Sequence, residues 1–472
     1  MGMRSSKRFL TLAVMAVLLS GVNNAQAAPT DPPNATATVT GSNNTSTTTN
    51  RYSSIIVSSD ADNELYAIES AGDVYVTDGA TIKATGTGEN ISGSDKDVNA
   101  YGLHYIYDPT AGVVVHTTTI NGNVSIIVTA TGGTATNAGA SAEAHGLHTD
   151  GRSGRLTTIN GNARITAIAT GGTTTGGGAY SYASAHAYGL SAYNDGKNTV
   201  TGDAIIKTEA TVQQSGQAFS ACSLYANNSD SVNNLSSLGT LKQLEGDVYA
   251  WGSGTNNLVM DTAASYLQGN LLQNPYSNGT NNITISKGAT WRPVYDNRYG
   301  SYFDEYNADT YVKTYAVDDI ATTANDVLNL SDGGIIDLTW ETPLASRNSN
   351  FRALTLEKFS GTNGIFRINT DLANNKADKI TLNAADSGST VKIQVNYDPY
   401  FATNPNVGES ITGAAGVLKG TAASTITVTG AESEYNAYKF TPTIAWNSTS
   451  NQWELKALTT SAYIPPIPLN QL

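Results

Sequence analysis

The 472-residue chain carries a formal net charge of −13, 14% charged residues, 45 glycines and a single cysteine. The acidity argues against nucleic acid, whose phosphates favour a basic face, and against anionic lipid. Cys222 alone cannot close an intramolecular disulfide, and abundant Gly, Thr, Ser and Asn would suit disorder if Val, Ile and Leu did not alternate regularly.

The N-terminus places Arg4, Lys7 and Arg8 before the apolar run Phe9 to Leu19, then Ala25-Gln26-Ala27. This pattern predicts a signal peptide over residues 1–27. Its apolar core falls short of the roughly 20 residues of a membrane span, so export of the remainder is expected. Residues 28–50 show no periodicity and read as a Ser/Thr/Asn-rich flexible leader.

Residues 51–326 read as coils of a repeat. One element is Asn99-Ala100-Tyr101-Gly102-Leu103, Glu143-Ala144-His145-Gly146-Leu147 and His186-Ala187-Tyr188-Gly189-Leu190. A second is Ile120-Asn121-Gly122-Asn123, Ile159-Asn160-Gly161-Asn162, Val200-Thr201-Gly202-Asp203 and Leu244-Glu245-Gly246-Asp247. Each recurs at about 40 residues, and their alternation predicts coils of about 20. Short strands closed by Gly or Asn suit a parallel β-helix, with coils ~4.8 Å apart in a rod of about 100 Å. The Gly-rich stretches 129–144 and 168–187 read as loops thrown out between coils. Cys222 is expected to be a buried small residue.

From Tyr266 the run Asn282, Ile283, Ile285, Gly288, Ala289, Trp291 is followed by a segment rich in tyrosine. Its Tyr295, Tyr299, Tyr302, Tyr306, Tyr311 and Tyr315 form a candidate ligand-contact loop for sugar or protein, since aromatics enrich in interface cores. An irregular loop packed over the rod is the alternative. Residues 327–460 alternate more regularly, and the chain closes on a Pro-rich tail, 461–472.

This last third resembles the C-terminal end of pertactin-like autotransporter passengers. The resemblance is carried by Ser360, Gly361, Gly364, Phe366, then Asn369-Thr370-Asp371, then Asp378, Lys379, Ile380 and Leu382, and continues to Trp453. It implies an all-β, right-handed parallel β-helix, an elongated single rod at the cell surface, outer membrane or outside the cell, serving as an adhesin or in biofilm and virulence. It also implies that the C-terminal coils act as a folding nucleus, whose core is expected to hold Trp340, Leu354, Leu356, Phe366, Ile368, Ile380 and Leu382. Implied partners are an outer-membrane translocator barrel, the barrel-assembly machinery, and a host surface protein, a glycan or another copy of the chain. A barrel would need about 12 strands of alternating pattern. None follows, so it is expected to be truncated from this sequence, encoded separately or lost.

No catalytic residue, cofactor or metal is expected. Asp386-Ser387-Gly388-Ser389 is similar to a serine-protease nucleophile segment but reads as a turn between strands, without a triad around it. Asn369-Thr370-Asp371 is similar to one polygalacturonase motif without its companions, and leaves a β-helical polysaccharide lyase or hydrolase as the rival reading. His104, His145, His148 and His186 recur beside the A-x-G-L element, as repeat periodicity predicts without metal. Stability is expected to be polarised, with residues 327–460 outlasting 51–260.

Overall fold

Strand alternation sends every second side chain inward, and stacking in register turns these residues into columns. In this computed structural model one column runs Ile82, Ile126, Ile165, Ile206, Leu244, Leu267, Trp291, Ile336, Phe366, Ile393, each the direct neighbour of the next across parallel strands. All ten are buried. The structure describes residues 34–40, 51–59, 64–70, 75–88, 91–92, 97–105, 117–136, 139–151, 155–175, 183–213, 219–273, 278–295, 299–301, 319–321, 326–340, 351–403, 406–435 and 438–462. The expected signal peptide and Pro-rich tail therefore lie outside the described residues, apart from Ser461 and Ala462.

Among the described residues the fold is a right-handed parallel β-helix. The first sheet has 14 strands, and two further sheets of 8 strands close the cross-section. The second sheet contributes the inward column Ile68, Leu103, Leu147, Leu190, Leu224, Val248, Leu271. The third adds Leu235, Leu258, Ile283, Leu328 and Phe359. Cys222 is fully buried.

Coil length departs from expectation. Ala163 pairs with Val124 and Ala204, so a full coil here takes about 40 residues and both repeated elements belong to the same coil. After Leu241 the coils shorten, as Gln243 pairs with Tyr266 and Tyr266 with Thr290. The Gly-rich stretches are not simply loops. Val124–Thr131 and Ala163–Thr170 are strands of the first sheet, and Thr134–Thr136 stacks on Thr173–Thr175 in a small added sheet. Between them a Cβ on Gly172 would lie 1.9 Å from the Gly133 carbonyl oxygen. Glycine is needed there because backbone packs on backbone. The stretch expected to be a flexible leader, 28–50, likewise contains a strand, Asn34–Thr40, paired in parallel with Arg51–Ser59.

A polar ladder closes one corner. Asn198, Asn233, Asn256 and Asn281 are fully buried, and each amide nitrogen of the first three donates to the next Oδ1 at 2.9 Å. Each of the four also donates to a carbonyl near the end of a preceding second-sheet strand, Ser191, Tyr225, Tyr249 and Leu272 in turn. These bonds satisfy groups that the turn would otherwise leave unpaired in the interior.

The parallel winding does not continue through residue 460. Ser410–Lys419, Tyr438–Asn447 and Gln452–Ala462 pair antiparallel. Phe401 packs on Phe440 with ring centroids 5.4 Å apart, and both are buried with Leu455 and Leu458. A parallel coil always leaves its last strand edge and apolar interior open, and this folded-back sheet covers them.

Candidate functional site

Two sets of outward side chains stand out. The first lies on the second sheet. Gly102 and Leu103 both face the interior, where a Cβ on Gly102 would meet Ile126 Cγ2 at 2.3 Å. Alternation slips there, so Tyr101 and His104 both face outward, stacked at 4.7 Å. Gly146 and Gly189 repeat the device against Ile165 and Ile206. The outcome is a file of rings: Tyr66 on Tyr101 at 5.0 Å, then His145 at 4.7 Å, Tyr188 at 4.8 Å, Tyr225 at 4.8 Å and Tyr249 at 5.4 Å. Beside it His104 meets His148 at 5.0 Å and His148 meets Tyr193 at 4.9 Å.

Burial dominates the electrostatics of this file. It lowers His145 to about 3 and His104 to about 2, helped by neighbouring imidazoles, and it lowers His148 and His186 as well. At neutral pH all four rings are uncharged. Ser191 Oγ lies 3.0 Å from His145 Nδ1 and 2.9 Å from His148 Nδ1, while His186 Nδ1 lies 2.7 Å from Ser220 Oγ. Only His104 and His148 occupy equivalent positions; His145 aligns with Tyr101 and Tyr188, and His186 with Glu143. Among the described residues no three His, Cys, Asp or Glu side chains converge on a metal position.

The second set lies on the outer face of the first sheet, where its coils are short. Tyr266 donates to Glu245 Oε1 at 2.9 Å, and burial with that carboxylate pushes the phenol up to about 12. The Arg292 guanidinium carbon sits 4.3 Å from the Tyr266 ring centroid and 4.0 Å from that of Trp340. Asp337 accepts from Arg367 Nη1 at 2.9 Å, and Arg367 Nε donates to Gln394.

The expected tyrosine loop is corrected where it is described. Tyr295 and Tyr299 belong to the buried core. Tyr295 donates to the Ala353 carbonyl at 3.3 Å with Arg352 over its ring, and the Tyr299 hydroxyl accepts from Gln268. Two buried rings cannot form a ligand face. Tyr302, Tyr306, Tyr311 and Tyr315 lie outside the described residues.

Of the expected C-terminal core, Leu354, Leu356, Phe366, Ile368, Ile380 and Leu382 are all fully buried. Trp340 is not: Leu338 takes the interior position, and the indole stands half-buried against Arg292. The strand ends at Asp337, whose carboxylate accepts from Thr339 N and turns the chain before Trp340 can re-enter the alternation. Asp378 ties two coils together by accepting from Arg352 N at 2.8 Å and Asn369 N at 2.7 Å, and burial pushes it up to about 7. Asp398 likewise holds Thr370 Oγ1, Leu372 N and Tyr400 N.

The motifs similar to enzyme segments are placed among these structural groups. Asn369 and Thr370 are buried, Asp371 accepts from the Asn374 amide, and Asp386 to Ser389 is a turn with Gly388 at φ +83°.

Residues 325–457 match the family model described as Pertactin. The matched span runs from the coil that opens at Asp326 into the final antiparallel strand, so the pertactin-like region includes both the last parallel coils and the closing sheet. No curated protein matches the chain in sequence. With the parallel architecture, the match supports an autotransporter passenger, a class secreted to the cell surface or beyond and linked to an outer-membrane translocator.

Proposed function

We propose that the protein is a non-enzymatic passenger that acts as an adhesin or biofilm component, with the pertactin-like region as its folding nucleus. The match over residues 325–457 carries this reading, because that span also holds the antiparallel closure. A closed end is a template on which each further coil orders few residues while gaining a ladder and core contacts. The barrel-assembly machinery and an outer-membrane translocator barrel are the proposed export partners. Upstream of the closure, long strands present broad faces suited to binding rather than to a buried reaction site.

Deleting the gene in its native cell and scoring adherence and biofilm mass tests the role, with protease shaving of intact cells reporting display. Reduced adherence on loss of a displayed protein is expected. Unchanged adherence, with the protein shown at the surface, would remove the adhesin role.

A further inference from the structure

Arg292 occupies an unusual setting on the first sheet. Its guanidinium lies against the Tyr266 and Trp340 rings, and among the described residues it donates no hydrogen bond to the protein. Neighbouring carboxylates are already engaged, Glu245 by the Tyr266 hydroxyl and Asp337 by Arg367 and Thr339. Trp340 Nε1 is a buried donor with no acceptor. Two coils further along the same row stands Arg367, and Lys392 follows on the adjoining row of the next coil. Asp337 stands between Arg292 and Arg367 in that row and is paired with Arg367, so the patch interleaves three cations with the engaged carboxylates Asp337 and Glu245, in a chain whose net charge is −13.

A planar guanidinium with free N–H groups matches a carboxylate bidentately, and partial removal from water strengthens that bond. Half-exposed aromatic rings beside it offer an apolar face for a sugar ring, and Arg367 and Lys392 on later coils lie where further acid groups of a polymer would pass. We propose that the surface formed by Tyr266, Arg292, Trp340, Arg367 and Lys392 binds a uronic-acid polysaccharide, with Arg292 gripping one carboxylate. This deepens the adhesin reading and rests on it, but it concerns binding by the isolated protein, so failure of binding and failure of surface display are read separately.

Titration calorimetry of the purified full chain with oligogalacturonate, its carboxyl-reduced neutral counterpart, monomeric galacturonate and acetate is the test. Saturable binding of the acidic oligomer is expected, with at least about tenfold weaker binding of the other three. Arg292→Gln should weaken oligomer binding by about tenfold or more and Arg292→Lys nearly as much, since an ammonium lacks the planar fork. Trp340→Phe keeps a ring and removes the donor, and should weaken binding severalfold, whereas Lys419→Gln on the closing sheet should not. Circular dichroism of each variant separates lost binding from lost folding. Equal affinity for the neutral oligomer, equal affinity for acetate, no binding of the oligomer, or full binding by folded Arg292→Gln would each overturn the proposal.

Discussion

The coils before Leu241 and those after Asp326 wind the same way but are held together differently. In the first region the interior is lined by Ala, Val, Ile and Leu, and glycines let the second sheet approach the first, as where Gly146 meets Ile165. Its outward face stacks imidazole and phenol rings that burial keeps neutral. In the second region large side chains fill the interior, among them Phe359, Phe366, Phe401 and Phe440, and buried carboxylates pin the corners. One region thus depends on absent side chains and uncharged rings, the other on volume and on buried carboxyl groups that bridge backbone segments. The glycines that suggest weakness in sequence are contacts in the structure.

The widest separation should come from the interior of the pertactin-like coils. Phe366→Ala should cost about 3–5 kcal/mol, because it leaves a cavity that neighbouring coils cannot close. Hydrogen exchange should show the loss in residues 364–397 with amides before Leu241 unchanged, since coils touch only their neighbours. A uniform loss along the rod would mean that the two regions unfold as one unit.

The converse substitution is Gly146→Val. Its Cβ would lie 2.3 Å from Ile165 Cγ2 and 2.7 Å from the Gly189 carbonyl oxygen. Overpacking of this kind costs about 1–3 kcal/mol or more. Faster proteolysis between Asn99 and Asn227, with the pertactin-like fragment surviving, is the expected readout. Wild-type cleavage rates would show that the sheet separation relaxes freely.

Acidification should move the two regions in opposite directions. His145 and His104 have folded values of about 3 and about 2, below the unfolded 6.5, so the unfolded chain binds more protons as pH falls below 6.5. The first region should therefore lose about 2 kcal/mol per ring between pH 7 and pH 5. Asp378 has the opposite sign: raised from 3.8 to about 7, it binds its proton more readily when folded. Its corner should gain about 2 kcal/mol over the same interval. Limited proteolysis at pH 7 and pH 5 checks both, and a first region equally resistant at both values would show that the imidazoles accept protons without strain.

The smallest effect is expected at Asn369, which is buried with neither side-chain polar atom hydrogen-bonded. Asn369→Leu keeps the approximate shape and removes two unpaired polar atoms, so thermal stability should hold or rise by up to about 1 kcal/mol. A clear loss of melting temperature would reveal a partner for that amide.

Much of this was legible in the residues themselves. Alternation identified the strands and the inward set Leu354, Leu356, Phe366, Ile368, Ile380 and Leu382, because a strand has period 2 whatever surrounds it. The recurrence of A-x-G-L and I-N-G-N placed equivalent positions about 40 residues apart. What those patterns could not contain is the relation between strands distant in the chain. That two repeated elements share one coil, that a glycine slip turns both Tyr101 and His104 outward, and that the last strands fold back antiparallel all depend on register and stacking. Trp340 and Tyr295 mark the limit most clearly. Composition made both apolar enough for either place, and only the turn at Asp337 and the packing of Arg352 on Tyr295 decided which ring stayed outside and which went in.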